Sequence, residues 1–400
     1  MDTHGNMETD RNIFKFWLHR IPFVGDSTIY KLLEEYTEAG DVFEAFMKSD
    51  EKVLRIIGEK RMNKILEKKD IRFFPSDGTK ERITHVIELI AKDYRLMTES
   101  GISFVTVEDE DYPSRLLDIN PAPYALYVKG RLPENNVPSV AIIGARNCSE
   151  YGTYIANAFG EALAKEGVNI ISGMARGVDG ISQRGALNVD GNTFAVLGSG
   201  VDVCYPEGNY KLYRDIQKKG GVISTFPPGT EPLKQQFPER NKIVAALADI
   251  LLVVEARVKS GTSITVDLAL KMGKDVYAVP GRLTDRLSDG CNLLIRDGAG
   301  IALSPEDILR ELAVFWNRLN PEDEDFNQNT INHLDPGRPR EDIGLLKYLD
   351  ATPHTADEIH QKRLADEEGI SLSQTLSELV LLCVDGKAVQ VGSGYFYRPY

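Results

Sequence analysis

One stretch limits what this chain can fold into. Between Ser139 and Gly300, short apolar runs rich in β-branched residues alternate with amphipathic helical patterns. The runs are Val140–Ile143, Val168–Ile171, Thr193–Leu197, Gly221–Ser224, Ile250–Val254 and Asp275–Val279. They are near-continuous rather than strictly alternating, which suits strands buried on both faces. With helices between them they predict βαβ units and an α/β fold with a doubly wound, mostly parallel sheet. Such sheets bind ligands beyond the carboxyl ends of their strands. Here those ends carry Gly, Ser, Thr, Asn and Arg, the residue types that grip phosphates.

Four hundred residues exceed one small domain and predict about two to four units. Four cysteines, Cys148, Cys204, Cys291 and Cys383, lie far apart with no CxxC spacing. That pattern argues against a zinc site or a disulfide framework and for a reducing compartment. The polar, acidic start lacks a signal-peptide core, and no run approaches the ~18 apolar residues that span a bilayer. A soluble, cytoplasmic protein without membrane contact is expected. The net charge of −13 counts against a general basic field for nucleic acid. Nucleic acid can still bind where cations gather in one groove, with the acidic remainder confining it there.

Along the chain, residues 1–11 read as a disordered tail and 12–80 as a small N-terminal helical domain. In the latter, Ile13–Leu18, the turn Ile21-Pro22-Phe23-Val24-Gly25 and the helical pattern Ser27–Tyr36 resemble a helix-hairpin-helix of SAM-like type. The turn's N–H groups can hold a phosphate; the alternative is a helical bundle in which Gly25 merely caps. Residues 81–316 form the sheet domain, which opens with a helix over Ile83–Ser100 and a strand over Ile102–Val107. Ser304-Pro305-Glu306-Asp307 opens its last helix, with Ser304 as N-cap and Asp307 at the capping-box position. The acidic, Pro-containing stretch 317–340 reads as a solvated linker. Residues 341–400, with three helical patterns and a hairpin, resemble a winged helix. Its Ser373–Cys383 helix carries little positive charge, which favours a protein-interaction role over duplex DNA binding.

Four loops carry the chemistry. In Gly144–Gly152, Gly144 turns the backbone, Ser149 caps the next helix and Arg146 offers a planar fork for a phosphate diester. In Ser172–Gly180, Ser172, Gly173 and further glycines precede a helix and can form an anion nest; Arg176 either meets ligand or bonds Asp179 to shape the loop. Gly198-Ser199-Gly200, with Tyr205-Pro206 and Asn209, is a weaker signal. The fourth element joins Pro232–Lys242 to Arg257–Ser263. Lys234, Arg240, Lys242, Arg257 and Lys259 are expected to converge on one edge, near Asn241 and Gly261. Phe237 stands where a base could stack, as in single-strand binding, or serves as a hydrophobic staple beneath the helix start. Asn292 is a further polar candidate. No GxGxxG follows the first strand and no acidic residue closes the second, which excludes an NAD site. None of the six histidines lies within residues 138–300, and neither a GxSxG elbow nor a GxxxxGK[ST] loop occurs. The pattern therefore predicts a binding groove with no reaction centre, no cofactor and no metal.

Taken together these loops resemble the DNA processing protein A family (DprA, also called Smf) of bacteria. The likeness rests on Gly144–Gly152, Ser172–Gly180, Ala195–Asn209, Phe237–Ala245, Val253–Thr265 and Val276–Ala299, in order, over about residues 90–310. It implies an extended Rossmann-like domain with a small N-terminal helical domain and a C-terminal winged-helix-like domain. It also implies a non-enzymatic homodimer that binds incoming single-stranded DNA during natural transformation, protects it and loads RecA recombinase onto it. Carried over, the DNA-contacting positions are Arg146, Lys234, Arg240, Asn241 and Lys242, with Gly173 and Gly261 in supporting loops. Three positions depart from the family pattern. Gln183 stands where many relatives have histidine, Thr225 where they have glutamate, and Lys242 where they have a second arginine. Lysine keeps the charge but loses the bidentate fork. The central domain also resembles the LOG phosphoribohydrolases, which carry a PGGxGTxxE loop. In Lys259–Asp267 the first Gly pair is missing and Asp267 lies one position late to replace the glutamate. A scaffold binding a small nucleotide is the third reading.

Overall fold

The apolar runs become the strands of one nine-stranded sheet. They are β1 (Ile102–Thr106), β2 (Ala125–Gly130), β3 (Ser139–Ile143), β4 (Asn169–Ser172), β5 (Thr193–Val196), β6 (Gly221–Ser224), β7 (Ile250–Val253), β8 (Asp275–Ala278) and β9 (Gly300–Ile301). Their spatial order is β1-β2-β6-β5-β4-β3-β7-β8-β9. Pairing is parallel from β6 to β9, and β2 lies antiparallel to both β1 and β6. Every residue of β3, β4, β5, β6 and β7 is buried, which is why those runs show no polar alternation. The sheet is doubly wound, as expected. From β3 the chain winds outward through β4, β5 and β6, then returns to place β7 on β3's other side. The carboxyl ends of β3 and β7 therefore flank the topological switch point.

The computed structural model describes residues 3–74, 79–319, 344–349, 352–366, 370–384, 388–391 and 394–397. Its contacts divide the chain into Met1–Glu324 and Asp325–Tyr400. In the first unit, helices α1 (Thr3–Arg20), α2 (Asp26–Tyr36), α3 (Ala39–Met47), α4 (Glu51–Ile57), α5 (Glu59–Glu67) and α6 (Lys80–Glu99) precede the sheet. Helix α1 begins at Thr3, inside the segment expected to be a disordered tail. The boundary expected at residue 80 is not a packing boundary either. Trp17 meets Phe43 edge-on at 5.0 Å, while Phe16, one residue earlier, reaches Phe104 of β1 and Tyr127 of β2. One apolar core thus runs from the helices onto the sheet, through Tyr124, Tyr127, Ala195 and Val222. At about 25 cal/mol per Å² of apolar surface, helices of this size gain more from a shared core than from a separate small one.

Helices α7 (Glu150–Lys165), α8 (Val178–Asn188), α9 (Tyr210–Lys219), α10 (Gln236–Leu247), α11 (Gly261–Lys271), α12 (Asp289–Arg296) and α13 (Pro305–Leu319) complete the first unit. Strand periodicity splits the two faces: Ala195 joins the core shared with the N-terminal helices, whereas Phe194 and Val196 join the core under α10 and α11. At the start of α13 the Asp307 carboxylate takes the N–H groups of Leu303 and Ser304, both at 2.9 Å. Trp316 closes α13 onto the sheet by donating its indole N–H to Asp249, 3.3 Å away. Asp249 also takes two bonds from Arg115 and the Ser139 N–H.

The second unit contains a 3-10 turn (Gly344–Tyr348), α14 (Ala356–Leu364), α15 (Leu372–Val384) and a three-stranded antiparallel sheet. Its strands are β10 (His354–Thr355), β11 (Val389–Val391) and β12 (Tyr395–Tyr397), with β12 in the middle. Thr355 and Glu358 form a reciprocal capping box at the start of α14. The expected linker lies outside the described residues from position 320 onward.

Candidate nucleic-acid interface

Glu255, at the exit of β7, fixes the loop that carries Arg146. Its backbone oxygen takes the Ala145 N–H at 2.7 Å. Its carboxylate takes the Ser149 N–H at 2.9 Å and the Ser149 hydroxyl. The Ser149 oxygen in turn accepts the Gly152 N–H at 3.0 Å and caps α7. A side chain at Gly152 would overlap the Glu255 carboxylate. These bonds take up the amides of Ser149 and Gly152 at the start of α7 internally. They leave Arg146 exposed, with no hydrogen bond or ion pair among the described residues.

The second loop docks on the first. Val178 N–H donates to Ala145 O, and Gly177, at φ +74°, sits where any Cβ would strike that oxygen. Beneath lies Arg240, only 6% exposed. Its Nη1 donates to Gly173 O and, at 2.9 Å, to Val196 O, so it ties the ends of β4 and β5 together. Asp179 is buried beside it and accepts the Gly173 N–H at 3.2 Å. Burial pushes the Asp179 carboxyl up and the Arg240 guanidinium down, and each one's charge opposes the other's shift. Arginine nevertheless stays protonated. The bond considered between Arg176 and Asp179 does not form: Arg176 is exposed, and Arg240 supplies the cation near that carboxylate.

Phe237, in the first turn of α10, stands between two adjoining hollows of about 510 and 550 Å³. The guanidinium carbons of Arg146 and Arg240 lie 5.9 and 5.8 Å from its ring centroid. The Tyr205 ring, 44% exposed, is 5.6 Å away. One hollow opens at the switch point, between the β3 and β7 exits, toward Arg257, Ser260, Gly261 and Asn241. The other opens toward Arg176, Gly198, Ser199 and Tyr205. Arg146, Asn147, Gly173, Phe237 and Arg240 line both. Two buried polar atoms on this floor, Arg240 Nε and Ser260 Oγ, have no hydrogen-bond partner among the described residues. Ser260 precedes α11 without capping it, so that helix presents its first amides to the hollow.

The fold therefore gathers Arg146, Gly173, Phe237, Arg240, Asn241 and Gly261, and separates the other candidates. Ser172 is fully buried and donates to Ile142 O at 2.7 Å. Asn292 exchanges two bonds with the backbone of Gly281, at 3.0 and 3.2 Å, and closes a loop rather than facing a ligand. Lys234, Lys242 and Lys259 line neither hollow, and Lys242 pairs with Glu239 at 2.9 Å. The five-cation edge is thus replaced by a compact site in which Arg240 is internal. Two contributors were not among the site candidates. Tyr205 enters the sequence reading only with its loop, and Glu255 only as part of the Val253–Thr265 stretch that carries the family likeness.

A doubly wound sheet with an arginine-flanked aromatic ring and an uncapped helix start at its switch point is an α/β protein whose candidate ligand site lies where such sheets bind their ligands. The sequence profile of the family described as DNA recombination-mediator protein A matches residues 103–313. DNA processing protein DprA of Streptococcus pneumoniae is 41% identical over 206 residues, 52% of this chain and 73% of that one. Protein Smf of Escherichia coli is 32% identical over 295 residues, 73% of this chain and 76% of that one. An X-ray structure of the Streptococcus pneumoniae protein superposes with a TM-score of 0.55 at 31% identity, covering 76% of this chain and 97% of the other. This chain belongs to the DNA recombination-mediator protein A family, of the DprA/Smf type. Among the described residues, no helix is long and apolar enough to cross a membrane.

Proposed function

We propose that the two hollows and the ring between them bind single-stranded DNA. The observation that carries this reading is the setting of Phe237, a half-buried ring between two cavities with one free and one fixed guanidinium beside it. Only an unpaired base can present its face to such a ring, because duplex bases are already stacked on each other. Arg146 supplies the mobile phosphate partner and Arg240 a fixed positive charge beneath. The Ser260 hydroxyl and the first amides of α11 add an anion cradle. In this reading the protein is a recombination mediator rather than an enzyme. As the family likeness implies, it holds incoming DNA in the cytoplasm, acts as a homodimer and hands the strand to RecA. Lys234, Lys242 and Lys259 contribute only longer-range charge.

The test is a salt-dependent binding titration with single-stranded and duplex DNA of one sequence. Single-strand affinity should exceed duplex affinity. Arg146→Ala should weaken it and make the dependence of log K on log salt shallower by about 0.7, one single-strand phosphate contact. Equal affinity for both DNA forms would remove the groove from consideration. Stability of Arg146→Ala should stay within about 0.5 kcal/mol of the parent, as for an exposed side chain without partners.

A further inference from the structure

The turn between α1 and α2 is not used by this site. It holds Phe23 outward, 50% exposed, with φ +64°. A bulky residue rarely sits in the left-handed region, and such positions cluster where a side chain must be presented. Lys64 Nζ and Lys68 Nζ stand over the Phe23 ring, 5.6 and 5.8 Å from its centroid. Lys64 lies in the last turn of α5 and Lys68 directly follows it; residues 59–69 carry five basic side chains against Glu59 and Glu67. In a chain of net charge −13 this is a local reversal of sign around an exposed aromatic ring. The helix start that follows the turn is not an anion site. Its Asp26 carboxylate takes the Tyr124 N–H at 3.0 Å and already occupies that end.

The turn is built on the same apolar core as one side of the groove. Val24, in the same turn, joins the apolar core that also holds Leu197, which lines the second hollow, and Val201, with Cys204 packed against it beside Tyr205. We propose that a single DNA strand leaving the groove by the second hollow continues over the N-terminal helices and engages Phe23, Lys64 and Lys68. One base stacks on the Phe23 ring, and the two ammonium groups take the flanking phosphates. Stacking on an aromatic and pairing with lysine is the chemistry of sequence-tolerant single-strand binding. The proposal rests on the groove binding single-stranded DNA and extends that path.

Oligomer length separates the two claims. Wild type, Phe23→Ala, Lys64→Gln/Lys68→Gln and Arg146→Ala are titrated with oligothymidylates of about 6 and about 20 nucleotides, the shorter matched to one single-strand site. Thermal melts of the exposed-residue variants should match wild type. Phe23→Ala and the lysine pair should bind the longer oligomer about fivefold or more weakly and the shorter one unchanged. The lysine pair should also make the salt slope for the longer oligomer shallower by about 1.4, two phosphate contacts. If the two lengths respond alike to these variants, or neither responds while Arg146→Ala weakens both, the extended path is wrong and the groove stands. If Arg146→Ala leaves both lengths unaffected, the groove reading fails and its extension with it.

Discussion

Replacing Arg240 with alanine should cost stability before it costs binding. The side chain is buried, and its Nη1 satisfies two backbone oxygens, Gly173 O and Val196 O, at the ends of β4 and β5. Leaving two buried carbonyls without donors costs about 1–3 kcal/mol each. Removing a buried cation also strands the Asp179 carboxylate, although the variant no longer has to desolvate a guanidinium. These terms net to a loss of about 3 kcal/mol, a large share of the ~5–15 kcal/mol that holds a typical protein. The pH dependence follows from Asp179, whose carboxyl burial already raises. A raised folded value means the native state binds protons more readily, so its ionisation costs stability as pH rises above the ordinary aspartate value near 4. Without Arg240 the value rises further, so the deficit should be full at neutral pH and shrink on acidification. Asp179→Asn should recover part of it in the double variant. The assay is urea denaturation of both single variants and the pair at neutral and mildly acidic pH. An Arg240→Ala midpoint equal to that of the exposed Arg146→Ala would refute the clamp. A deficit that does not change with pH would refute the role given to Asp179.

Other predictions test neighbouring parts of the molecule. Phe237→Ala should lose about 1–3 kcal/mol of single-strand binding, roughly 5- to 150-fold, while Phe237→Trp retains most of it; equal affinities in a fluorescence titration would argue for a packing role alone. Gly173→Ala places a methyl on the Arg240 guanidinium, so it should lower the urea midpoint and be less than additive with Arg240→Ala. His19, largely enclosed and bonded to the Tyr127 hydroxyl at 3.1 Å, has its pKa pushed down to about 4, first by burial and then by Arg20. The unfolded chain therefore binds the extra proton, and stability present above about pH 6.5 should fall by up to about 3 kcal/mol as pH drops through 4. His19→Gln should flatten that slope in denaturation curves between pH 4 and 7.

The sheet was legible because its signal is local. Runs such as Val140–Ile143 and Ile250–Val254 are apolar at every position, and only a strand covered on both faces tolerates that. The loop residues Arg146, Gly173, Phe237, Asn241 and Gly261 were legible for a related reason. A doubly wound sheet brings the ends of its strands together wherever they lie in the chain. The N-terminal boundary was not legible. Phe16 and Trp17 are adjacent and equally apolar, yet one faces the sheet and the other the helices. Composition does not distinguish a core that closes on itself from one that continues.

The order of strands and helices and the residue types at their ends were determined by the sequence alone, because periodicity and turn chemistry act over a few neighbouring positions. The duty of each polar group was decided only on folding. Arg146 and Arg240 have the same side chain and were read as the same kind of contact. One ends exposed over the Phe237 ring, with no hydrogen bond or ion pair among the described residues; the other is sealed under two carbonyls 67 and 44 positions away in the chain. Asn292 and Ser172 likewise spend their hydrogen bonds on backbone that tertiary packing brings to them. Burial and partnership depend on atoms distant in sequence, and no local pattern encodes which atoms those will be.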